Sequence, residues 1–304
     1  MSILVAGHTG LVGSAIFDAL KRENETVIGA SSKDVNLLDR QATFDFILDI
    51  KPKIVIDAAA VVGGIGANSS YPVDFLSKNL QIQTNLMDAS HLAGVERFVF
   101  LGSSCLYPRD CPQPIKEDYL LTGPLEKTNS AYAIAKIAGI ELVKSYRSQY
   151  GHRWISLMPT NVYGPGDNFD LENSHVLPAL INKFLVARRQ RLASVVLWGT
   201  GTPRREFLYS SDLARAVLVA LGKYDSDHHL NIGTGMETRI MDLAQTVANL
   251  TGFEGVINWD KSRPDGTPRK VLDVSRLRHL GWEPLVSLQE GISETIRWFE
   301  AQRN

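Results

Sequence analysis

Short apolar runs alternate with longer amphipathic stretches in the first half of the chain. Four of the short runs, rich in β-branched and aromatic residues, are predicted strands: ILVAG, ETVIGA, IVIDAAA and RFVFLGS. Three stretches between them have helical spacing: LVGSAIFDALKRE, TFDFILDI and NLQIQTNLMDASHLAG. Strands joined by helical crossovers indicate parallel pairing. We therefore predict an α/β fold with a Rossmann-type doubly wound parallel sheet.

This alternation of strands and helices changes beyond about residue 165, where glycine and proline interrupt the pattern in YGPGDNF, WGTGTPRREF and SRPDGTPRK. Helices are expected at NSHVLPALINKFLVARRQ and at the C-terminus. We predict a larger Rossmann domain over residues 1–165 with about 206–228. A smaller C-terminal α/β lobe, over about 166–205 and 229–304, is expected to bind the substrate.

Composition narrows the class of protein. The 304 residues are 44% hydrophobic and 21% charged, which is typical of a globular protein. A net charge of −1 argues against nucleic acid or a membrane surface as partner. The chain opens on a strand rather than a signal peptide, and two cysteines make no disulfide framework, so we expect a reducing cytoplasm. No metal site is expected.

The segment GHTGLVG follows the first predicted strand directly. Its glycines at positions 7, 10 and 13 allow a tight turn and a close approach of the backbone to a pyrophosphate. The helix that follows presents free N–H groups and the positive end of its dipole. This pattern predicts a dinucleotide site, although a tight β–α turn in a fold without a cofactor would look similar.

The positions after the second strand indicate which dinucleotide is bound. Ala30, Ser31, Ser32 and Lys33 stand where an acidic residue would hold the ribose of NAD, and Asp34 lies farther on. Hydroxyls and a lysine suit a 2′-phosphate, so NADP(H) is favoured over NAD(H). The alternative interpretation is a solvated turn.

Two further segments carry candidate chemistry. In LGSSCLYP, an extended backbone would direct Ser103 and Cys105 to the same side. In SAYAIAKIAGIELVKSY, Tyr132 and Lys136 share one helix face, and the lysine is expected to lower the pKa of the phenol. Ser103 can hydrogen-bond the carbonyl oxygen that Tyr132 protonates, and Lys136 can hold the nicotinamide ribose.

In combination, GHTGLVG, the set of Ser103, Tyr132 and Lys136, and WGTGTPRREFLYSSDLA resemble the extended short-chain dehydrogenase/reductases that act on nucleotide sugars. More specific segments resemble a bifunctional branch of that family: AAAVVGGIGAN, LGSSCLYP, AYAIAKIAG, MPTNVYGPGDNF, NSHVLPALI, WGTGTPRREF and PDGTPRK. The resemblance implies a GDP-sugar substrate. The implied reaction is 3,5-epimerisation of GDP-4-keto-6-deoxy-D-mannose followed by NADPH-dependent reduction at C4 to GDP-L-fucose.

The resemblance also implies roles for individual residues. Cys105 and His175 would exchange protons with the sugar, Tyr132 would protonate the C4 oxygen, and Ser103 and Lys136 would assist. Four residues would surround the nucleotide sugar: Lys183, Trp198, Arg205 and Asp265. Contacts to NADP(H) are implied for Gly7, His8, Thr9, Gly10, Leu11, Val12, Gly13, Ser32, Lys33, Asn36, Leu37, Leu101, Gly102, Ser103, Ser104, Lys136, Pro159, Thr160, Asn161, Val162 and His175.

Several alternatives stay open at this point. Thr9 stands where some members of the family carry an arginine for the 2′-phosphate, and Trp198 would also suit core packing. Arg204 or Arg269 could replace Arg205 at the diphosphate. The substrate could be a related nucleotide sugar, as in GDP-L-colitose synthesis, or the enzyme a simple 4-keto-sugar reductase. A cofactor-sensing regulator would lack the Tyr132–Lys136 pair. Dimerisation through the helix that carries Tyr132 is expected.

Overall fold

The computed structural model describes residues 2–171, 174–263 and 265–303, so Asn173 of NSHVLPALI and Pro264 of PDGTPRK lie outside the described residues. The strands are β1 (Ser2–Ala6), β2 (Thr26–Ala30), β3 (Ile54–Asp57), β4 (Arg97–Leu101), β5 (Ile155–Pro159), β6 (Asn161–Tyr163), β7 (Ser194–Trp198), β8 (Arg204–Tyr209), β9 (Leu230–Ile232), β10 (Glu237–Arg239), β11 (Val256–Asp260) and β12 (Arg269–Lys270). The helices are α1 (Leu11–Arg22), α2 (Arg40–Ile50), α3 (Ile65–Ser70), α4 (Pro72–Leu92), α5 (Ser130–Tyr150), α6 (Val176–Arg189), α7 (Ser210–Lys223), α8 (Ile240–Thr251), α9 (Ser275–His279) and α10 (Leu288–Ala301).

The main sheet has the strand order β2–β1–β3–β4–β5–β9, and every neighbouring pair in it is parallel. The predicted doubly wound α/β fold is thus confirmed. All carboxyl ends of the strands meet at one edge, and the order reverses between β1 and β3. Ligands of open α/β sheets bind in the crevice at such a reversal.

Apolar side chains cover both faces of the main sheet. Alternate residues of each strand belong to different cores: Leu4 packs with α2, α4 and α5 on one face, and Val5 packs with α1, α7 and α9 on the other. Strands buried on both faces need a continuous apolar sequence, which explains runs such as IVIDAAA. The helices on either side hold the carboxyl edge rigid.

The second half of the chain contributes a third core, formed by α6, α8 and α10 with β7 and β8. The smaller sheets here are β10–β8–β12, with β6 also on β8, and the pair β11–β7. The two-lobe division stays a prediction. The strand pairing crosses its boundaries in both directions. Leu230–Ile232, assigned to the smaller lobe, pairs with β5 in the main sheet, whereas β6 and most of β8, assigned to the larger domain, pair with each other in a smaller sheet. None of the helices in the described ranges combines the length and apolarity that crossing a bilayer requires.

Candidate active site

A glycine-rich turn joins β1 to α1 at the carboxyl edge of the main sheet. Gly7 has a φ of +77°, a left-handed conformation that glycine adopts without steric cost. A Cβ atom at Gly13 would overlap the carbonyl oxygen of Gly7, so α1 packs directly on the loop. Gly10 caps α1 without a side-chain hydrogen bond, which leaves the first N–H groups of the helix for another partner. The loop therefore fits the pyrophosphate of a dinucleotide.

We expect Gly13→Ala to raise the dissociation constant for NADPH about tenfold or more, because the added methyl group must displace Gly7 and the loop. Titration followed by NADPH fluorescence measures this constant. Gly222→Ala is the matched control, since a Cβ atom at Gly222 meets open space. If Gly13→Ala bound NADPH as tightly as the control, the loop would not be the cofactor site.

The turn after β2 carries side chains that were predicted to contact the adenosine ribose. Ser32, Lys33 and Asn36 are exposed. Asp34 folds back, and its Oδ2 accepts hydrogen bonds from the amide of Ser31 at 2.8 Å and from its hydroxyl at 2.6 Å. These bonds lower the pKa of Asp34. The carboxylate is thus held within the turn while Ser32 and Lys33 face solvent.

The imidazole ring of His8, in the glycine-rich loop, lies against Gly29 of β2. Gly29 leaves the space for its ring, because a Cβ atom there would clash with the imidazole. The Nδ1 atom of His8 is buried and has no hydrogen-bond partner among the described residues. Of the other residues predicted here, Leu37 packs against the core and Thr9 is exposed. A buried nitrogen without a partner beside the loop suits a position where a bound group completes the hydrogen bonding.

Strand β4 ends at Leu101, and although Ser103 is extended, the chain then turns at Ser104, so the predicted strand alternation of Ser103 and Cys105 is wrong. Residues Ser104–Leu106 form a 3₁₀ helix that Ser103 caps. The hydroxyl oxygen of Ser103 accepts a hydrogen bond from the amide N–H of Cys105 at 3.2 Å. Serine favours such caps because its side chain competes for nearby backbone groups. The hydroxyl and the thiol are still brought together, through a turn.

Tyr132 and Lys136 lie one turn apart on α5 and contact the end of β4. The phenol of Tyr132 hydrogen-bonds the hydroxyl of Ser103. The ammonium of Lys136 is buried and donates to the carbonyl oxygen of Leu101 at 2.9 Å. The helix thus brings Tyr132 into one cluster with Ser103 and Cys105.

The predicted lowering of the Tyr132 pKa by Lys136 is wrong for this arrangement. Burial raises the pKa of Tyr132, Cys105 and Asp57 raise it further, and the hydrogen bond from Ser103 only partly opposes them. Burial also raises the pKa of Asp57 to about 6, against the attraction of Lys136. The charge of Lys136 therefore acts on Asp57. Asp57 was not among the predicted site residues, although a single carboxylate at the end of an apolar strand could have indicated a functional role.

Two basic side chains from the second half of the chain act on the thiol of Cys105, Lys270 by direct contact and Arg205 through its charge. Lys270 donates from Nζ to Sγ at 3.2 Å. Burial alone would raise the pKa of Cys105, but Lys270, the hydrogen bond with Ser103 and the charge of Arg205 together lower it. Lys270 belongs to the PDGTPRK segment, in which no role was predicted for it. Its position opposite Arg205, on paired strands β12 and β8, was the missing information.

His175 is the residue that precedes α6, and it borders the same charges. Its side chain is exposed to solvent. Nearby protein atoms still desolvate the imidazolium form and lower the pKa of His175, and the ammonium of Lys270 lowers it further. Cys105 and His175, the two residues expected to exchange protons, therefore share Lys270 as a neighbouring cation.

The predicted substrate residues fall in two places. Burial lowers the pKa of Arg205, and the negative charges of Cys105 and Asp265 oppose that change. Arg205 thus connects the thiol with Asp265. Both carboxylate oxygens of Asp265 accept hydrogen bonds from Thr200, from its amide at 2.7 Å and from its hydroxyl at 2.8 Å. Asp265 therefore also holds the loop between β7 and β8.

Trp198 and Lys183 lie at β7. The side chain of Trp198 is 68% exposed, which excludes core packing as its role. The guanidinium of Arg263 lies 5.1 Å from the centre of the indole ring. Lys183 donates from Nζ to the carbonyl oxygen of Val196 at 2.6 Å. An exposed aromatic face beside a guanidinium suits an anionic ligand that has a planar ring.

The remaining predicted cofactor residues follow β4 and β5 at the middle of the sheet edge. Those after β4 are Gly102 and Ser104, of which Ser104 is buried. After β5, the hydroxyl of Thr160 and the side-chain amide of Asn161 donate to the backbone oxygen of Glu206 at 3.4 Å and 2.8 Å. Pro159 and Val162 flank these two residues in the chain. This middle segment is thereby tied to β8, the strand that carries Arg205.

Comparisons with known proteins agree with this geometry. The chain matches the model of the NAD dependent epimerase/dehydratase family over residues 3–233. It is 52% identical over 298 residues to GDP-L-fucose synthase 1 of Arabidopsis thaliana, covering 98% of this chain and 92% of that protein. It is 46% identical over 307 residues to GDP-L-fucose synthase of Escherichia coli K12, covering 98% of this chain and 96% of that protein. A solved GDP-L-fucose synthetase from Naegleria fowleri bound to NADP matches with a TM-score of 0.91 at 31% identity, over 99% of this chain and 94% of that one.

Proposed function

The chain belongs to the NAD dependent epimerase/dehydratase family, and on that premise we propose that it converts GDP-4-keto-6-deoxy-D-mannose to GDP-L-fucose. The reaction inverts C3 and C5 of the sugar and then reduces the C4 keto group with NADPH. The observation that carries the proposal is the thiol of Cys105 beside Ser103 and Tyr132. Reduction alone needs no proton-exchanging group beside C3 and C5, whereas epimerisation does, and the thiol of Cys105 can be such a group.

Epimerisation requires a base and an acid beside the sugar, although the C4 keto group already acidifies the C–H bonds at C3 and C5. We assign the proton exchange to Cys105 and His175. As each C–H bond breaks, its electron pair moves onto the carbonyl oxygen as an enolate, and a proton then returns to the opposite face. The hydroxyls of Ser103 and Tyr132 are assigned to donate hydrogen bonds to that oxygen while its charge develops.

Reduction at C4 follows in the same cluster, and NADPH supplies the hydride when bound. We assign Tyr132 as the donor of the proton to the C4 oxygen. The raised pKa of Tyr132 keeps its proton on the phenol at neutral pH, and the more basic alkoxide takes it. Lys136 ties α5 to the end of β4 through Leu101, which positions the phenol, and it would also hold the ribose of the cofactor.

The residues at the sheet edge fit NADP(H). The loop from Gly7 to Gly13 would hold the pyrophosphate, because its backbone is unobstructed and the helix behind it is uncapped. Ser32 and Lys33 would contact the 2′-phosphate, because both are exposed and the neighbouring carboxylate of Asp34 is bonded within the turn.

We expect NADPH to bind more tightly than NADH, and Lys33→Ala to raise the dissociation constant of NADPH about threefold to fivefold, the effect of one exposed charge. The constant for NADH should not change, because NADH has no 2′-phosphate. Fluorescence titration of both cofactors with both proteins measures the four constants. Equal affinities in the unchanged protein would contradict the assignment of the turn after β2.

We also propose that two copies of the chain associate through α5. Apolar side chains stand exposed on this helix, at Ile134 and Tyr150, and on α4, which packs against it, at Val73 and Leu92. A monomer in light scattering would contradict this proposal.

Two free cysteines support a reducing cytoplasm as the location of the protein. We keep the two-lobe division, with the larger lobe binding NADP(H) and the smaller one the nucleotide sugar.

One incubation in D₂O tests the proposed function. The protein is mixed with NADPH and GDP-4-keto-6-deoxy-D-mannose, and the product is examined by NMR and mass spectrometry. A reduced product with solvent deuterium at both C3 and C5 is expected. Reduction without deuterium would mean a simple 4-reductase, and no turnover would mean that the substrate is a different nucleotide sugar.

A further inference from the structure

Lys270 and Arg205 meet the reactive thiol from two paired strands. β12 runs parallel to β8, with Lys270 directly beside Arg205 in the register. Side chains of directly paired residues project from the same face of a sheet, so both cations lie on one side. Of the two, Lys270 makes direct contact, with its Nζ 3.2 Å from Sγ of Cys105.

The backbone that carries Lys270 is fixed immediately after it. The amide of Val271 donates to the side-chain oxygen of Gln113 at 3.0 Å, and the amide of Leu272 donates to Glu206 at 2.8 Å. Glu206 is fully buried and also accepts from the amide of Gly235 at 2.7 Å. These bonds fix the main chain next to Lys270, and the contact of its Nζ with Sγ of Cys105 fixes the end of the side chain.

We propose that Lys270 is a positioning residue that holds the sulfur of Cys105 as a thiolate in an ion pair, ready to take a proton from the sugar; this rests on the function proposed above. Charged and titratable groups face the sulfur from each neighbouring element: Lys270 from β12, Arg205 from β8 and Tyr132 from α5. The hydroxyl of Ser103 adds a hydrogen bond. The direction of the Cys105 pKa, below its ordinary value, agrees with this pairing.

The ion pair has a specific use in proton exchange. An ordinary thiol is only a few per cent thiolate at neutral pH, so most of the protein would lack its base. In the step itself the C–H bond breaks, the S–H bond forms, and the C–H electron pair becomes the enolate. Lys270 keeps its protons throughout. When the thiolate becomes a thiol, the ammonium loses its anionic partner, and at the same moment negative charge appears on the enolate oxygen of the sugar. The same cation therefore serves the states before and after proton transfer.

Alkylation of Cys105 without substrate tests the ion pair. We would use a Cys111→Ala background, because Cys111 is the second free thiol. The rate of reaction with iodoacetamide is measured against pH, since the thiolate is the form that reacts. In Lys270→Met the midpoint of this pH–rate profile should rise by about 1 to 2 pH units, the effect of losing an adjacent opposite charge. Lys270→Arg should retain most of the original midpoint.

Lys261→Met is the matched control, since Lys261 is an exposed lysine in the loop after β11; its midpoint should equal that of the background. An unchanged midpoint in Lys270→Met would overturn the proposal. If Lys270→Met lost the unfolding transition of the background protein, Lys270→Gln would decide by the same readout. Because alkylation needs no sugar, a shifted midpoint without deuterium exchange in D₂O would retain the ion pair and reject the proposed function. Deuterium exchange together with an unshifted midpoint of alkylation in Lys270→Met would retain the proposed function and reject the ion pair.

Discussion

Cys105→Ser is expected to reduce solvent deuterium incorporation at C3 and C5 of GDP-4-keto-6-deoxy-D-mannose by about 10² to 10⁴, the usual contribution of one general base or acid. The serine hydroxyl has nearly the same size and can take the same place in the turn. It does not ionise near neutral pH, so the attraction of Lys270 and Arg205 that favours a thiolate has no anion to act on. Exchange measured by NMR separates this loss from hydride transfer.

The cofactor site supplies the control for this variant. The dissociation constant of NADPH should stay within about twofold of the original, because Cys105 acts on the sugar rather than on the glycine loop. His175→Gln should likewise suppress exchange, and far more than it weakens the binding of NADPH. Cys111→Ala, at the other thiol, should retain exchange. Full turnover in Cys105→Ser or in His175→Gln would remove that residue from the mechanism.

The fold could be predicted largely from the sequence because its determinants are local. Apolar runs such as RFVFLGS are buried on both faces of the sheet, and a glycine loop or a Tyr132–Lys136 pair needs only neighbours in the chain. The predicted strands and helices appear at their expected places, although α4 already begins at Pro72. The pairing of the short strand Leu230–Ile232 with β5 was not predicted, since three residues carry too little periodicity to reveal their partner.

The electrostatics of the site could not be predicted in the same way. Lys270 lies 165 residues from Cys105 in the chain, and only the pairing of β12 with β8 brings them together. Sequence spacing also suggested that Lys136 lowers the pKa of the phenol, but the ammonium donates to the carbonyl oxygen of Leu101, and its charge acts on Asp57. Charge effects depend on distances between segments and on burial, and neither can be read from positions along one helix.

Tyr132→Phe is expected to reduce the rate of C4 reduction by about 10² to 10⁴, because the developing alkoxide loses its proton donor. The loss should be nearly constant between pH 6 and 8, since burial raises the pKa of Tyr132 and keeps the phenol protonated across that range. Single-turnover oxidation of bound NADPH measures the hydride step directly. Exchange at C3 and C5 should fall less, because the thiol and its cations remain and only one hydrogen bond to the enolate is lost.

Tyr71→Phe provides the comparison, since Tyr71 is an exposed tyrosine at the start of α4. That variant should reduce the sugar at the original rate. The two readouts together test whether Tyr132 donates the proton or only shapes the site. A packing defect would slow exchange and reduction alike, whereas loss of the donor slows reduction far more than exchange. Reduction at the original rate in Tyr132→Phe would transfer the role of proton donor to another group in the cluster, with the hydroxyl of Ser103 the nearest candidate.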